Sequence, residues 1–316
     1  MRIIEQATRD NFFLDGYLRV NPDVANHVGI CKDDAWNHFV YYGEEEKRLQ
    51  LSPRFLTQRH VLGRTKFEAF KNVLIADSAF RFMEAEGAFP VVFSDLHFSI
   101  EDYAIESTNN SYPPFVNDII ANPDKRYLDI GCGLRNEIFD NCLYLEVYPS
   151  LTADVIVAPD CWYPFESESF DGIGCFAVLE HVTKPWQVVS EIHRMLKPGG
   201  KCYICWPFLV PVHGYPSHYY NATRRGLELI FSDGFDVEFC RTEPWEGPDF
   251  TISWVLGKFV DSLPPEKQRR IREMTVADLI AQPRSGVFWS ELLKELPDSV
   301  ISEFACGNSL VATKLR

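Results

Sequence analysis

The chain has 316 residues, 46% of them apolar, and a formal net charge of −14; that suffices for one large domain plus a small one, and it excludes a general nucleic-acid binder, which needs a basic stripe to neutralise phosphates. Nine cysteines, an odd number scattered through strands and loops, read as free thiols of a reducing compartment. No run approaches the length of a membrane span and residues 1–13 lack the apolar core of a signal peptide, so a cytoplasmic chain is expected.

Residues 1–50 read as a small helical module rich in aromatics: Phe12, Phe13, Tyr17, Trp36, Phe39, Tyr41 and Tyr42. Two short helices fit, broken at Asn21-Pro22-Asp23 and ended near Gly43. Residues 51–122 read as a helical lead-in and lid. An amphipathic helix is predicted over 64–83, with Phe67, Phe70 and Leu74 at helical spacing. A loop follows at 107–114, placed to cover a ligand, and a helix at 115–120. From 123 to 316 apolar strands alternate with helices, the pattern of an α/β fold. Strands are predicted at Tyr127–Ile130, Leu143–Leu145, Val155–Val157, within Phe170–Leu179, at Lys201–Trp206, Val237–Arg241 and Ser309–Lys314. A helix over 185–196 stops at Pro198-Gly199-Gly200, and prolines at 264, 265, 283 and 297 mark a helical insertion over about 250–298.

The informative stretch is Tyr127 to Glu146. It reads as a strand, a glycine turn at Asp129-Ile-Gly131-Cys132-Gly133, a crossover, and a second strand ending in an acid. In an open parallel sheet, ligands bind outside the carboxyl ends of the strands. Glycines let backbone approach the ligand, and an acid ending the second strand can accept both hydrogen bonds of a ribose diol. Twelve residues separate Ile130 from Leu143, near the minimum for a parallel crossover, so any helix there must be short. Asn136 stands where a dinucleotide fingerprint has its third glycine, which weakens a nicotinamide-dependent oxidoreductase. Cys202 and Cys205 form a CxxC, but on a strand they face opposite sides, so no metal site is expected.

Asp129 to Gly133, followed in order by Ala153–Pro164, Ser169–Val182 and Met195–Pro207, resembles class I S-adenosylmethionine-dependent methyltransferases, in a type 11-like branch with a shortened crossover. The resemblance implies a seven-stranded, doubly wound, Rossmann-like sheet, parallel except for its last strand. It implies S-adenosyl-L-methionine as cofactor, with Asp129, Gly131, Cys132 and Gly133 at the methionine end. Glu146 would take the ribose hydroxyls, Val147 the adenine face, Asp160 and Cys161 the adenine edge, and Phe176 the methionine end. Glu180-His181 resembles the family's "LEH" at the mouth where acceptor meets methyl.

The loop Pro211-Val-His213-Gly-Tyr-Pro-Ser-His218-Tyr-Tyr-Asn221-Ala-Thr223 is similar to a family loop that carries Asp and Arg where His218 and Asn221 stand. His181, His213 and His218 are the candidate general bases, with Glu180 beside them. Tyr17 to Ala25 and Gly43 to Arg48 resemble a helical module that recurs beside bacterial surface-glycan enzymes; its usual glycine is Lys47 here. Together these imply a small-molecule or glycan acceptor, a role in glycan biosynthesis, and a glycan-machinery partner for residues 1–50. A non-catalytic S-adenosylmethionine-binding or scaffold protein is the other reading of the altered loop.

Overall fold

The computed structural model describes residues 1–28, 32–76, 79–93, 112–159, 162–214, 217–283 and 286–304. The opening strand β1 (Ile4–Gln6) pairs antiparallel with β2 (Leu49–Leu51). Between them lie α1 (Leu14–Val20), α2 (Pro22–Val28), α3 (Lys32–His38) and a π-turn over Phe39–Gly43. Two helices were expected; Pro22 instead opens a helix of its own, where its missing N–H costs nothing. Ala7, Tyr17, Val24 and Phe39 form a small core inside this module. Lys47 sits in the left-handed region at φ +54, the conformation that glycine takes without strain.

The module is tied into the larger core. Ile3 and Leu51 are fully buried in one cluster with Phe55, Phe115, Leu134 and Ile138. Ile3 N–H and Ile4 N–H both donate to Asn136 O, and Ser52 N–H donates to Ile3 O. The next helix, α4 (Pro53–Phe70), starts and ends earlier than the 64–83 predicted. Two residues of its second half break its apolar period. Gly63 is needed because a Cβ there would lie 2.4 Å from Phe89 O, and Lys66 is buried in an ion pair with Asp154.

Seven strands follow in one sheet: β3 (Arg81–Phe82), β4 (Val91–Val92), then, after α5 (Pro113–Ala121), β5 (Tyr127–Ile130), β6 (Cys142–Glu146), β7 (Val155–Ile156) and β8 (Phe170–Phe176), and, after α6 (Pro185–Met195), β9 (Leu196–Cys205). Their order is β3-β4-β7-β6-β5-β8-β9. All neighbours are parallel except β3 and β4. β5, β6 and β8 are near-continuous apolar runs, as strands covered on both faces must be.

The expected class is met, and the described sheet has seven strands, of which β3 and β4 were not predicted. Among the described strands the antiparallel one is β3. Val237–Arg241 is no strand: Val237 and Phe239 are exposed, and the segment joins none of the described strands. Ser309–Lys314 and most of the predicted loop 107–114 lie outside the described residues. The crossover from β5 to β6 contains no helix, not even a short one. Its irregular backbone is satisfied instead by the first residues of the chain, through the Asn136 bonds above, an Arg2–Glu137 bridge, and Ile138 N–H donating to Met1 O.

The chain divides into two compact units, residues 1–206 with 230–236, and residues 207–229 with 237–316. Within the first unit, residues of β2 and of α4 join the core cluster of the sheet. Beyond α7 (Arg224–Ile230), the second unit holds α8 (Pro248–Asp261), α9 (Pro265–Glu273), α10 (Val276–Ile280), α11 (Val287–Lys294) and α12 (Asp298–Glu303). They close around Val260, Leu263, Ile271, Phe288, Leu292 and Leu296. Among the described residues no helix is long and apolar enough to cross a membrane.

Candidate active site

The glycine turn follows β5 directly. Gly131 and Gly133 take φ of +67° and +53°, left-handed conformations that strain any residue with a Cβ. A Cβ at Gly131 would also lie 2.3 Å from Val178 Cγ2, so the chain leaving β8 passes over the turn. Every N–H of the turn is used inward. Gly131 and Cys132 donate to Leu145 O at 2.9 and 3.0 Å, and Gly133 donates to Glu146 Oε2 at 2.8 Å. Gly133 O accepts from Ser150 Oγ at 2.8 Å. The Cys132 side chain is buried in the core, and burial pushes its thiol pKa well up.

Glu146 ends β6 almost wholly buried. Its two oxygens accept from Gly133 N–H and from Val147 N–H, each at 2.8 Å. Burial pushes its pKa up to about 7, against the pull of those two bonds. Each carboxylate oxygen has a second lone pair, so the group can still accept two hydroxyls. Val147 is half-buried beside it. Asp160 and Cys161 lie outside the described residues.

Asp129, also buried, does not stand alone. Arg135 grips it with both prongs, Nε to Oδ2 at 2.8 Å and Nη2 to Oδ1 at 2.9 Å. The Arg135 guanidinium lies 5.9 Å from the centre of the Phe176 ring. Asp129, Arg135 and Phe176 line a small cavity with Tyr112, Phe115 and Tyr144. The sequence shows only a charged residue in the crossover; that it is buried against Asp129 has no sequence signal, because the contact depends on a helix-free loop. Arg135 N–H donates to Thr152 Oγ1 at 2.9 Å, which fixes the loop from the other side.

Past β8 the backbone turns through Ala177, at φ +53, into a short 3₁₀ turn over Leu179–His181. That turn buries Glu180 completely. Neither of its carboxylate oxygens has a hydrogen-bond partner among the described residues. Burial pushes the Glu180 pKa up to about 8. His181 is half-buried, with Nε2 3.8 Å from Glu180 Oε1. A buried carboxyl without a partner costs several kcal/mol in its charged form and about 1–3 kcal/mol even when neutral.

His213 and His218 belong to the second unit. His213 Nδ1 lies 2.8 Å from Pro211 O, which places its ring proton on Nδ1 and leaves Nε2 as the basic atom. Burial lowers the His213 pKa, favouring that neutral form. His218 Nε2 meets Asn221 Oδ1 at 2.6 Å, and its Nδ1 accepts from His213 N–H at 3.3 Å. The two residues that depart from the family loop, His218 and Asn221, thus hydrogen-bond each other.

Residues 128–204 match a methyltransferase domain family. A demethylmenaquinone methyltransferase of Clavibacter sepedonicus is 28% identical over 98 residues, 29% of this chain and 40% of that protein. A ubiquinone biosynthesis O-methyltransferase of Pseudomonas syringae pv. tomato is 47% identical over 36 residues, 11% of this chain and 16% of that protein. The matched stretches thus span well under half of these curated relatives. A solved structure of Haemonchus contortus phosphoethanolamine N-methyltransferase 2 with S-adenosyl-L-methionine aligns at a TM-score of 0.31 and 19% identity, over 81% of this chain and 60% of that one. With the ordered motifs and the mostly parallel sheet on the page, residues 128–204 are thus similar to a methyltransferase domain, and they carry its strands β5, β6, β7, β8 and β9.

Proposed function

We propose that the chain methylates a hydroxyl of a small-molecule acceptor, a sugar first among the candidates, with S-adenosyl-L-methionine as donor. The observation that carries this reading is Glu180, a fully buried carboxyl with no partner for either oxygen among the described residues, next to His181 in the turn after β8. Such a group is explained if an acceptor brings the missing donor. One relative is by name an O-methyltransferase, which agrees with a hydroxyl.

The side chains present fit the cofactor. Glu146 has the acceptor capacity for the ribose diol, Asp129 and Phe176 line a cavity suited to the amino-acid end, and Val147 offers apolar surface for adenine. By the resemblance Asp160 and Cys161 complete the adenine edge. When bound, S-adenosyl-L-methionine supplies a methyl group already activated by its sulfonium. What remains for the protein is to orient the acceptor and remove its proton. Glu180 takes that proton; a base with a pKa near 8 suits work close to neutral pH. His181, 3.8 Å away, stabilises the ionised carboxylate. His218 is occupied in shaping its own loop, and His213, basic at Nε2, is the alternative base. Residues 1–50, with Tyr41 and Tyr42 exposed, recruit a large or anchored glycan acceptor.

The test is transfer of a labelled methyl group to a fractionated small-molecule extract. A labelled ether whose formation depends on Glu180 supports the reading. Transfer to nitrogen or carbon, or transfer unaffected by Glu180→Gln, refutes the hydroxyl assignment.

A further inference from the structure

Most of the large apolar side chains exposed among the described residues belong to the second unit. Three of the most exposed lie close together in the chain: Val276 at 70%, Ile280 at 78% and Val287 at 69%. Val276 and Ile280 stand four apart on α10 and share a face, and Val287 opens α11. Both helices are anchored from inside. Leu279 of α10 packs against the core of the unit, and Phe288 and Leu292 of α11 are buried in it. The acid of α10 is occupied in its own cap: Asp278 Oδ2 accepts from Thr275 N–H at 3.2 Å and from Thr275 Oγ1 at 2.5 Å.

Ahead of α10 runs α9, where Lys267, Arg269, Arg270 and Arg272 stand against Glu266 and Glu273. Arg272 pairs with Asp261 at 2.7 Å. The Arg270 guanidinium lies 5.3 Å from the centre of the Phe288 ring, which brings α9 beside the start of α11 and next to Val287. Lys267 and Arg269 form no ion pair among the described residues. Surface aliphatics scattered singly need no explanation, but three gathered beside unpaired cations do. The tips are stabilised by leaving water and the cations by meeting anions, and the boundary of an anionic bilayer offers both at once. The chain as a whole carries −14, so an anionic surface is tolerated only where cations gather. A second copy of the chain suits the corner less well, because three aliphatic tips make a patch far smaller than the roughly 800 Å² that each partner buries in a stable interface.

We propose that the corner built from α9, α10 and the start of α11 docks on the surface of an anionic lipid bilayer. Val276, Ile280 and Val287 enter the boundary between headgroups and acyl chains, and Lys267 and Arg269 meet the lipid phosphates. No spanning helix is involved. The inference does not depend on which acceptor is methylated.

Co-sedimentation of the full chain compares vesicles of phosphatidylcholine alone with vesicles of phosphatidylcholine and phosphatidylglycerol in equal parts. The chain is expected to bind the mixed vesicles about tenfold or more tightly, and to lose that advantage as salt is raised. Ile280→Ser is expected to weaken binding to the mixed vesicles about tenfold, and Ile280→Ser with Val276→Ser about 100-fold. Lys267→Glu with Arg269→Glu should erase the preference for mixed vesicles while moving phosphatidylcholine binding by less than about threefold. Equal binding to both vesicle types, no binding to the mixed ones, or no loss in the Val276→Ser, Ile280→Ser double variant overturns the inference. So does a stable dimer of the unaltered chain that the same double variant dissolves, since the patch then belongs to a second copy. Should the variants not fold, the salt series on the unaltered chain decides. A preference for mixed vesicles that falls with salt supports the docking, and one indifferent to salt overturns it.

Discussion

Glu146, at the end of β6, receives two backbone N–H groups, whereas Glu180, in the turn after β8, receives none among the described residues. Both are buried and both are pushed toward neutrality, to about 7 and about 8. The difference lies in what the surrounding backbone does. Around Glu146 the glycine turn folds its amides onto the carboxylate and onto Leu145 O, so the position is set before any ligand arrives. Around Glu180 the chain supplies burial without donors, so the site holds a cost that only a ligand's donor relieves. In the proposed function the first holds the cofactor and the second acts on the acceptor.

The largest effect is expected from removing that asymmetry at Glu180. Glu180→Gln should lower turnover about 1000-fold, since an amide hydrogen-bonds but takes no proton. It should also stabilise the ligand-free protein in alkali. A carboxyl whose folded pKa is about 8 rather than the usual 4.5 contributes stability that is fully present below pH 4.5 and lost as pH rises through 8. The loss by pH 8 is at most about 4 kcal/mol. Denaturant melts at pH 5 and pH 8 should show this decline in the unaltered protein and a smaller one in Glu180→Gln. Equal declines in both would mean that Glu180 titrates as an ordinary surface acid.

Glu146→Ala tests the other half. Calorimetry should show S-adenosylhomocysteine affinity reduced by about 2–4 kcal/mol, with the fold retained. In the unaltered protein, affinity should rise from pH 6 to pH 8, because the diol needs the ionised form and Glu146 titrates near 7. Affinity flat across that range would remove Glu146 from the nucleoside site.

The prepared turn depends on the first strand, since Ile3 is fully buried behind the crossover and Ile3 and Ile4 N–H hold Asn136 O. Ile3→Ala should cost about 2–4 kcal/mol in denaturant melts and weaken nucleoside binding with it. A chain beginning near Ser52 should be insoluble, where a detachable module would leave it folded. The smallest effect is expected at Lys47→Gly. Relief of the left-handed φ should stabilise the protein by about 1 kcal/mol without moving either carboxylate's behaviour.

Much of the sheet was legible from residues alone. β5, β6 and β8 are near-continuous apolar runs separated by turn and helix signals, and local pattern suffices for such strands; β9 begins at Leu196, ahead of the predicted Lys201, because pairing with β8 carries the chain through Pro198-Gly199-Gly200. β3 and β4 have two residues each, too few for any period, and they exist only because the sheet offers an edge to pair with. Val237–Arg241 alternates like a strand but meets no edge, so its pattern has nothing to bury against.

The buried acid at the end of β6 was readable for the same reason: Glu146 closes an apolar run after a glycine turn, and both are local features. Arg135 was not, because its partner Asp129 is reached only through a crossover that forms no helix and is held open by residues 1–4 of the same chain. The sequence by itself determined the strand order of the motifs, the glycines and the acids; the tertiary structure alone decided which acid was satisfied and which was left bare. Hydrogen-bond satisfaction in a buried site depends on segments brought together from distant parts of the chain, and no local pattern of residues records their meeting.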